Sequence, residues 1–288
     1  MPEPLPPAAY RDLVARALAE DVGSGDVTTS ALVSPAIPAR GEFQAKAPCV
    51  LCGLDVVHEV FRQVDASIEC VAINRDGDAL ALGEVPALVN GPAASLLVAE
   101  RTALNFLQYL SGIATLTRAF VEAAGGRLQI LDTRKTTPGL RALAKYAVRC
   151  GGGASYRTGL YDGVLIKDNH IRIAGGIRAA VERARTRGIT LPIEVETQSL
   201  EDVDDAIAAG ADIIMLDNLD DRTMQTAISR IAGRARVEVS GGMTLARVRA
   251  IAALGADCVS IGALTHSAPA ADISLELDAD PIGAEDAR

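Results

Sequence analysis

The spacing of apolar residues changes near residue 126 of this chain. From there, short apolar runs alternate with helical stretches at intervals of roughly 20–30 residues, as repeated strand–helix units require. The pattern predicts strands over 128–131, 163–166, 192–195, 212–216, 236–239 and 258–261. It predicts helices over 177–187, 200–209, 221–231 and 245–254. This alternation indicates a parallel sheet covered by helices, as in an α/β barrel.

The first part of the chain, to about residue 110, mixes strand-like runs with helices. Strands are predicted over 41–50 and 68–82, with a turn at 74–77 inside the second run. Pro92 is expected to open a long helix, because proline suits the first turn and apolar residues then recur at helical spacing. The opposite face of that helix carries Arg101 and other polar residues, and simple solvation explains such a face.

Composition narrows the possible functions of the 288 residues, which suffice for one large barrel or for two domains. Aromatic residues make up 3% of the chain and Trp is absent, which disfavours a protein that binds nucleic acid by stacking. The formal charge of −9 disfavours binding to nucleic acid or to anionic membranes. No apolar run is as long as a membrane-spanning helix, and the first ten residues lack the layout of a signal peptide. We therefore expect a cytoplasmic location.

The chain has five cysteines, an odd number. Because no export signal is recognised, we expect these cysteines to be reduced thiols. Cys49 and Cys52 form a CxxC pair. A zinc site would need two further ligands at suitable spacing, and the sequence around the pair offers none. We expect these two residues to be ordinary members of an apolar strand region.

Residues capable of chemistry follow most of the predicted strands of the second part. The positions directly after the strands include the following: Asp132, Arg134, Lys135, Lys167, Glu196, Asp217, Ser240, Gly241, Gly242 and Gly262. Turn formation and helix capping explain Asp or Gly at one or two of these places. They do not explain several Arg, Lys and Glu residues where strands end. In an α/β barrel these ends converge on one mouth, so we predict a shared site.

Local charge and glycine placement indicate that the ligand is anionic. Eight Lys or Arg side chains but only two carboxylates lie between Arg134 and Arg172, in a chain that is acidic as a whole. Ser240-Gly241-Gly242 precedes a predicted helix, and Gly262 follows the last strand. Glycines and helix N-termini bind phosphate through backbone amides, and barrels often place such a site at their last two strands. The site is therefore expected to bind phosphate.

Glu196 and Asp217 have two possible roles in such a site. They could act as general acid and base, or they could hold a hard divalent cation with the help of water. Mg²⁺ is the better choice where a pyrophosphate leaves, but the residues alone leave both roles open.

Several motifs together resemble the quinolinate phosphoribosyltransferase family, the decarboxylating enzymes of de novo NAD synthesis. They are GDVTT at 25–29, ERTALN at 100–105, LSGIAT at 110–115, DTRKTTPGLR at 132–141, KYAVRCGGG at 145–153, GLYDGVLIKDNH at 159–170 and GALTH at 262–266. The resemblance runs from near residue 20 to near residue 270. It implies an N-terminal α/β sandwich domain over 1–112 and an open α/β barrel of about seven strands over 113–272, the type II phosphoribosyltransferase fold. A tail over 273–288 is expected to pack back on the N-terminal domain.

The resemblance also implies roles for individual residues, and the substrates quinolinate and phosphoribosyl pyrophosphate. Arg134, Arg157 and Lys167 would hold the two substrate carboxylates. Lys135, Glu196 and Asp217 would face the ribose and a magnesium pyrophosphate. The residues near the 5′-phosphate would be Ser240, Gly241, Gly242, Gly262 and His266. Arg101 would reach the site of a partner in a homodimer or higher homo-oligomer with shared active sites.

Two positions depart from the family pattern, which usually has Asn-His-Arg after the glycine run. Here the residues are Ser155, Tyr156 and Arg157, so a neutral phenol stands where a pocket histidine is expected. A second hypothesis is therefore a phosphoribosyltransferase of the same fold with a different anionic heterocycle as acceptor. Two further alternatives are a Schiff-base aldolase that uses Lys167 and a non-catalytic phosphoribosyl pyrophosphate sensor.

Overall fold

The computed structural model describes residues 2–35 and 37–279 of the chain. The helices of this part are α1 (Arg11–Val22), α2 (Val27–Leu32), α3 (Leu54–Val64), α4 (Ala93–Ala124), α5 (Arg141–Cys150), α6 (Asp168–Ala174), α7 (Ile177–Thr186), α8 (Leu200–Ala208), α9 (Asp221–Ile231), α10 (Leu245–Leu254) and α11 (Ala263–His266). The strands are β1 (Pro38–Ala45), β2 (Cys49–Val50), β3 (Glu69–Ala72), β4 (Ala79–Leu80), β5 (Ala87–Pro92), β6 (Gln129–Leu131), β7 (Val164–Ile166), β8 (Ile193–Thr197), β9 (Ile213–Asp217), β10 (Arg236–Ser240), β11 (Cys258–Ser260) and β12 (Ile273–Ala279).

The chain forms two compact units, and each is discontinuous in sequence. Within the described residues, the first comprises those up to Leu116, the segment Ala142–Gly151 and those from Ala268 to Ala279. The second comprises Thr117–Arg141 and Gly152–Ser267. The predicted ranges, divided at 112 and 272, were continuous, whereas α4 is one helix that extends past the first of these positions. Residues 280–288 of the predicted tail lie outside the described residues.

The first unit contains a four-stranded sheet in the order β12-β1-β5-β3. β1 pairs antiparallel with β12 on one side and with β5 on the other. The run predicted as a single strand over 41–50 is divided, since β2 leaves this sheet and pairs with β4. The core of the unit includes Phe43 of β1 and Phe61 of α3, whose rings meet edge to face.

The second unit contains a six-stranded sheet in the order β6-β11-β10-β9-β8-β7, and every pairing in it is parallel. β6 and β7 follow one another along the chain but lie at opposite edges, so the barrel is open. About seven strands were predicted. The seventh segment is reduced to one parallel bridge between Leu131 and Ala154, and the described residues contribute six strands to this sheet.

Polar residues at the start of helices fix where the βα units turn. Ser199, Asp220 and Thr244 each accept a hydrogen bond from the backbone amide three residues later, at the N-termini of α8, α9 and α10. Apolar side chains fill the interior of the central strand β9, where Ile214 and Leu216 are 0% exposed. The predicted α/β barrel is therefore confirmed, with helix and strand bounds within a few residues of the expected ones. No helix among the described residues is long and apolar enough to cross a membrane.

Candidate active site

A cavity of about 950 Å³ opens in the second unit, at the C-terminal ends of the parallel strands. This is the face where α/β barrels bind their ligands. All of the predicted site residues in this unit line the cavity: Arg134, Lys135, Tyr156, Arg157, Lys167, Glu196, Asp217, Ser240, Gly241, Gly242, Gly262 and His266. Arg101 does not belong to this set. It lies on α4 in the first unit and is exposed.

The cationic part of the cavity comes from segments after β6 and before β7. Arg134 follows β6, and its buried Nε atom has no hydrogen-bond partner in the part of the chain that the structure describes. Arg157 lies in the segment between α5 and β7, and is half-buried. A buried guanidinium donor that the protein leaves unsatisfied is available to an anionic ligand. Arg134 therefore has the chemistry that binding of a carboxylate requires.

Lys167 contacts an acidic residue of the same cavity. It follows β7 directly, and its Nζ atom lies 2.5 Å from the Glu196 carboxylate of β8. The lysine side chain is 45% exposed, whereas the glutamate side chain is 11% exposed. The two strands are neighbours with Ile166 beside Val195, so the residue after each reaches the same edge of the sheet. The cation and the carboxylate are thus paired with each other.

The glycines that were predicted to bind phosphate follow the neighbouring strands β10 and β11. Gly241 has φ +97°, and a Cβ atom there would lie 2.1 Å from the Asn218 side-chain oxygen, so only glycine fits. Asn218 itself has a positive φ of 55° and donates its side-chain amide to the Asp217 carboxylate at 2.8 Å. A Cβ at Gly262 would lie 3.1 Å from both the His266 ring and the Lys135 side chain. Backbone amides in such glycine turns can approach phosphate oxygens closely.

The Tyr156 hydroxyl is hydrogen-bonded to the protein backbone. The phenol is half-buried and donates toward two backbone carbonyls, of Val164 at 3.1 Å and of Pro192 at 3.3 Å. These carbonyls lie at the beginnings of β7 and β8, the end of the sheet opposite to the Lys167–Glu196 pair. Burial, followed by the nearby Glu194 carboxyl, raises the pKa of Tyr156. The residue therefore contributes a neutral ring to the cavity.

Two buried carboxyls in the cavity floor were missed by the sequence analysis. Glu194 of β8 is 0% exposed, and neither of its oxygens has a donor among the described residues. Glu238 of β10 is 2% exposed. Burial, and then the charge of Glu238, raise the pKa of Glu194 to about 9. The alternation of side chains along a strand could have identified Glu194, because it puts this residue on the same face of β8 as the predicted site residue Glu196.

The comparisons with known proteins agree with this geometry. The model of the quinolinate phosphoribosyl transferase N-terminal domain matches residues 26–111, and the model of its C-terminal domain matches residues 113–276. The chain belongs to the quinolinate phosphoribosyltransferase family. A probable nicotinate-nucleotide pyrophosphorylase [carboxylating] of Bacillus subtilis is 44% identical, over 90% of this chain and 90% of that protein.

Other members of the quinolinate phosphoribosyltransferase family support the assignment over nearly the whole chain. The nicotinate-nucleotide pyrophosphorylase [carboxylating] of Mycobacterium leprae is 42% identical, over 93% of this chain and 97% of its own length. Among solved structures, NadC from Streptococcus pyogenes superposes with a TM-score of 0.93 at 42% identity, covering 97% of this chain and 100% of that one. The type II phosphoribosyltransferase fold predicted from the motifs is thereby confirmed.

Proposed function

We propose that this chain transfers the phosphoribosyl group of phosphoribosyl pyrophosphate to quinolinate, and releases nicotinate mononucleotide, pyrophosphate and CO₂. One observation carries the proposal. A single cavity gathers Arg134, Arg157 and Lys167 beside Glu196 and Asp217, in a chain of the quinolinate phosphoribosyltransferase family. Its relatives carry names for this activity, from the Bacillus subtilis protein to quinolinate phosphoribosyltransferase [decarboxylating] 1b of Nicotiana tabacum.

The acceptor is expected to lie among the cations. Guanidinium groups form two parallel hydrogen bonds with a carboxylate, so Arg134 and Arg157 suit the two acid groups of a pyridine dicarboxylate. Lys167 adds a third positive charge at the same edge of the sheet. The hydroxyl of Tyr156 is bonded to backbone carbonyls. The part of Tyr156 that faces the acceptor is therefore its aromatic ring.

The donor is expected to lie along the glycine turns and the acidic pair. Ser240, Gly241 and Gly242 precede α10, whose N-terminus favours a 5′-phosphate. Gly262 and His266, after β11, line the same part of the cavity. Lys135 follows β6 and is exposed toward solvent, where it can neutralise phosphate charge.

The side chains of Glu196 and Asp217 fit a magnesium ion. Both supply carboxylate oxygens, the ligands that this hard cation prefers, and both line the cavity. When bound, the ion would neutralise the charge that develops on the departing pyrophosphate. Asn218 holds the Asp217 carboxylate in place through a hydrogen bond of 2.8 Å.

The reaction then follows from how these residues orient the two substrates. The arginines hold the ring so that its nitrogen attacks C1 of the ribose while the bond to pyrophosphate breaks. The quaternised nitrogen withdraws electrons from the adjacent ring carbon. The bond to that carbon's carboxylate breaks, CO₂ leaves, and the carbon takes up a proton. Fixed charges in a partly enclosed cavity stabilise the separated charges of both steps.

The proposal includes a homodimer in which Arg101 completes the partner's site, and a cytoplasmic location. Arg101 is exposed on α4, so it is available to another molecule. All five cysteines are thiols rather than disulfides, which suits a reducing compartment.

The decisive experiment incubates the purified protein with quinolinate, phosphoribosyl pyrophosphate and Mg²⁺, and identifies the products by mass spectrometry. Nicotinate mononucleotide with one CO₂ per turnover supports the proposal. An acceptor panel that measures pyrophosphate release separates quinolinate from another anionic heterocycle. Phosphoribosyl pyrophosphate binding without turnover on any acceptor would indicate a sensor instead. Covalent trapping of Lys167 by borohydride with a carbonyl substrate would indicate an aldolase.

A further inference from the structure

Two thiols and a carboxylate meet inside the first unit, apart from the proposed active site. Sγ of Cys52, Sγ of Cys150 and a carboxylate oxygen of Asp76 all lie within 4.8 Å of one another. Cys52 precedes α3, Asp76 lies in the turn between β3 and β4, and Cys150 ends α5. Three segments that are distant in sequence therefore bring metal-binding side chains to one point.

The carboxylate of this group is held rigidly. One oxygen of Asp76 accepts hydrogen bonds from the Gly53 amide at 2.9 Å and from the Tyr146 hydroxyl at 2.9 Å. The other oxygen accepts a longer bond of 3.2 Å from the Leu54 amide, which leaves a lone pair on that atom. Capping of α3 explains the two backbone bonds, but it does not require two thiols beside the carboxylate.

The thiols are buried, and their positions are also fixed. Cys52 is 0% exposed and Cys150 is 3% exposed, while Asp76 is half-buried. The Ser111 hydroxyl accepts a hydrogen bond from the Cys52 amide and donates one to the Cys52 carbonyl. Burial, followed by a hydrogen bond with the Cys150 thiol, raises the pKa of Cys52 well above its ordinary value. The Cys52 side chain is therefore a neutral thiol.

The charges near the group balance a divalent ion. Two thiolates and the Asp76 carboxylate carry one negative charge more than such an ion neutralises, and the nearby Arg149 supplies a positive charge. Cys150 ends α5, so the negative end of the helix dipole also faces this point. Bound ligand atoms on tetrahedral zinc lie roughly 3.5–3.8 Å apart, given Zn–S near 2.3 Å and Zn–O near 2.1 Å. Side-chain movements of about 1 Å would bring the three ligand atoms to these separations.

We propose that Cys52, Asp76 and Cys150 bind one borderline-soft divalent cation, of the class of Zn²⁺, with a water molecule as fourth ligand. On binding, each thiol loses its proton to solvent and its sulfur forms a bond to the ion. The ion links α3, α5 and the β3–β4 turn, so its role is to stabilise the first unit. This site does not depend on the proposed catalytic function.

The test starts with wild-type protein from which metal has been removed by a chelator. Titration with Cd²⁺ alone is expected to produce the ultraviolet thiolate-to-metal charge-transfer band, saturating at one ion per chain, with Zn²⁺ displacing it. Either ion should raise the unfolding temperature, because it binds the folded chain. Absence of a saturable band in the wild type would overturn the proposal. So would a Cys52–Cys150 disulfide that forms in place of binding.

Variants then assign the ligands. Cys52→Ala and Cys150→Ala should each weaken Cd²⁺ binding by more than the roughly 10–100-fold that loss of an outer partner costs. Asp76→Asn should also weaken it, and Cys49→Ala should leave it unchanged. Loss of Cd²⁺ binding in Cys49→Ala would indicate that the CxxC pair binds the ion instead. Cd²⁺ binding that persists after both Cys52 and Cys150 are replaced would refute the site. The wild-type titration decides the question even if a variant fails to fold.

Discussion

Lys167 and Glu196 form an ion pair of 2.5 Å between adjacent strands of the cavity. The proposed function assigns these two residues to different ligands, the lysine to a substrate carboxylate and the glutamate to the metal. The substrate carboxylate must therefore compete with Glu196 for Lys167, and the metal must compete with Lys167 for Glu196. This contact couples the acceptor region of the cavity to the donor region.

The first prediction concerns that coupling. Glu196→Gln should weaken Mg²⁺-dependent binding of phosphoribosyl pyrophosphate. In the absence of Mg²⁺ it should strengthen quinolinate binding about two- to fivefold, since a part-exposed pair contributes up to ~1 kcal/mol. Calorimetric titration of each ligand measures both effects. Glu201→Gln, an exposed change on α8, is the matched control. Weaker quinolinate binding in Glu196→Gln would show that the ion pair does not restrain Lys167.

The second prediction concerns the carboxylate grip. Arg134→Ala should weaken quinolinate binding about 10- to 100-fold, because a lost charge-assisted hydrogen bond costs ~1.5–3 kcal/mol. Binding of phosphoribosyl pyrophosphate should change much less. Arg134→Lys should recover only part of the loss, since an ammonium cannot form the paired bonds of a guanidinium. Arg172→Ala on the exposed face of α6 is the control. Equal loss of both ligands in Arg134→Ala would contradict the assigned role.

The third prediction concerns the departure at Tyr156. Tyr156→His should raise kcat/KM for quinolinate, and more so below about pH 6.5, where an imidazole is charged. Tyr156→Phe should leave the acceptor KM near its wild-type value, because the lost hydroxyl bonds only the carbonyls of Val164 and Pro192. A large rise in KM for Tyr156→Phe would mean that the hydroxyl reaches the substrate.

The fourth prediction links Glu194 to stability. Its folded pKa of about 9 exceeds the ordinary value of 4.5, so between these limits the folded state holds a proton that the unfolded state has lost. The free energy of unfolding should therefore fall as pH rises through this window. Glu194→Gln should reduce that slope and raise stability on the alkaline side, as chemical denaturation at several pH values would measure. An unchanged slope would show that Glu194 titrates normally.

Much of the barrel could be predicted because its signals are local. The spacing of apolar residues marked α9 and α10 at their observed ends. The rule that strand ends converge brought Arg134 and Asp217 to the same cavity. These features depend on residues that are neighbours in sequence.

The features that were missed depend on contacts between distant residues. The strand β8 was predicted from its apolar members, and the charged Glu194 within it carried no sign of being fully buried beside Glu238. The CxxC motif drew attention to Cys49, whereas Cys52 meets Cys150, almost a hundred positions away. Spacing in sequence cannot reveal such a meeting, because it arises only when separate segments pack.

The pairing of β12 with β1 has a consequence for how the protein is made. The first unit takes one edge of its sheet from residues 273–279, which leave the ribosome after the whole barrel has been synthesised. A nascent chain that has reached only Leu116 therefore exposes the unpaired side of β1, a surface that attracts other strands. The amino-terminal unit, although its first strands are translated early, cannot complete its sheet until residues 273–279 have been synthesised.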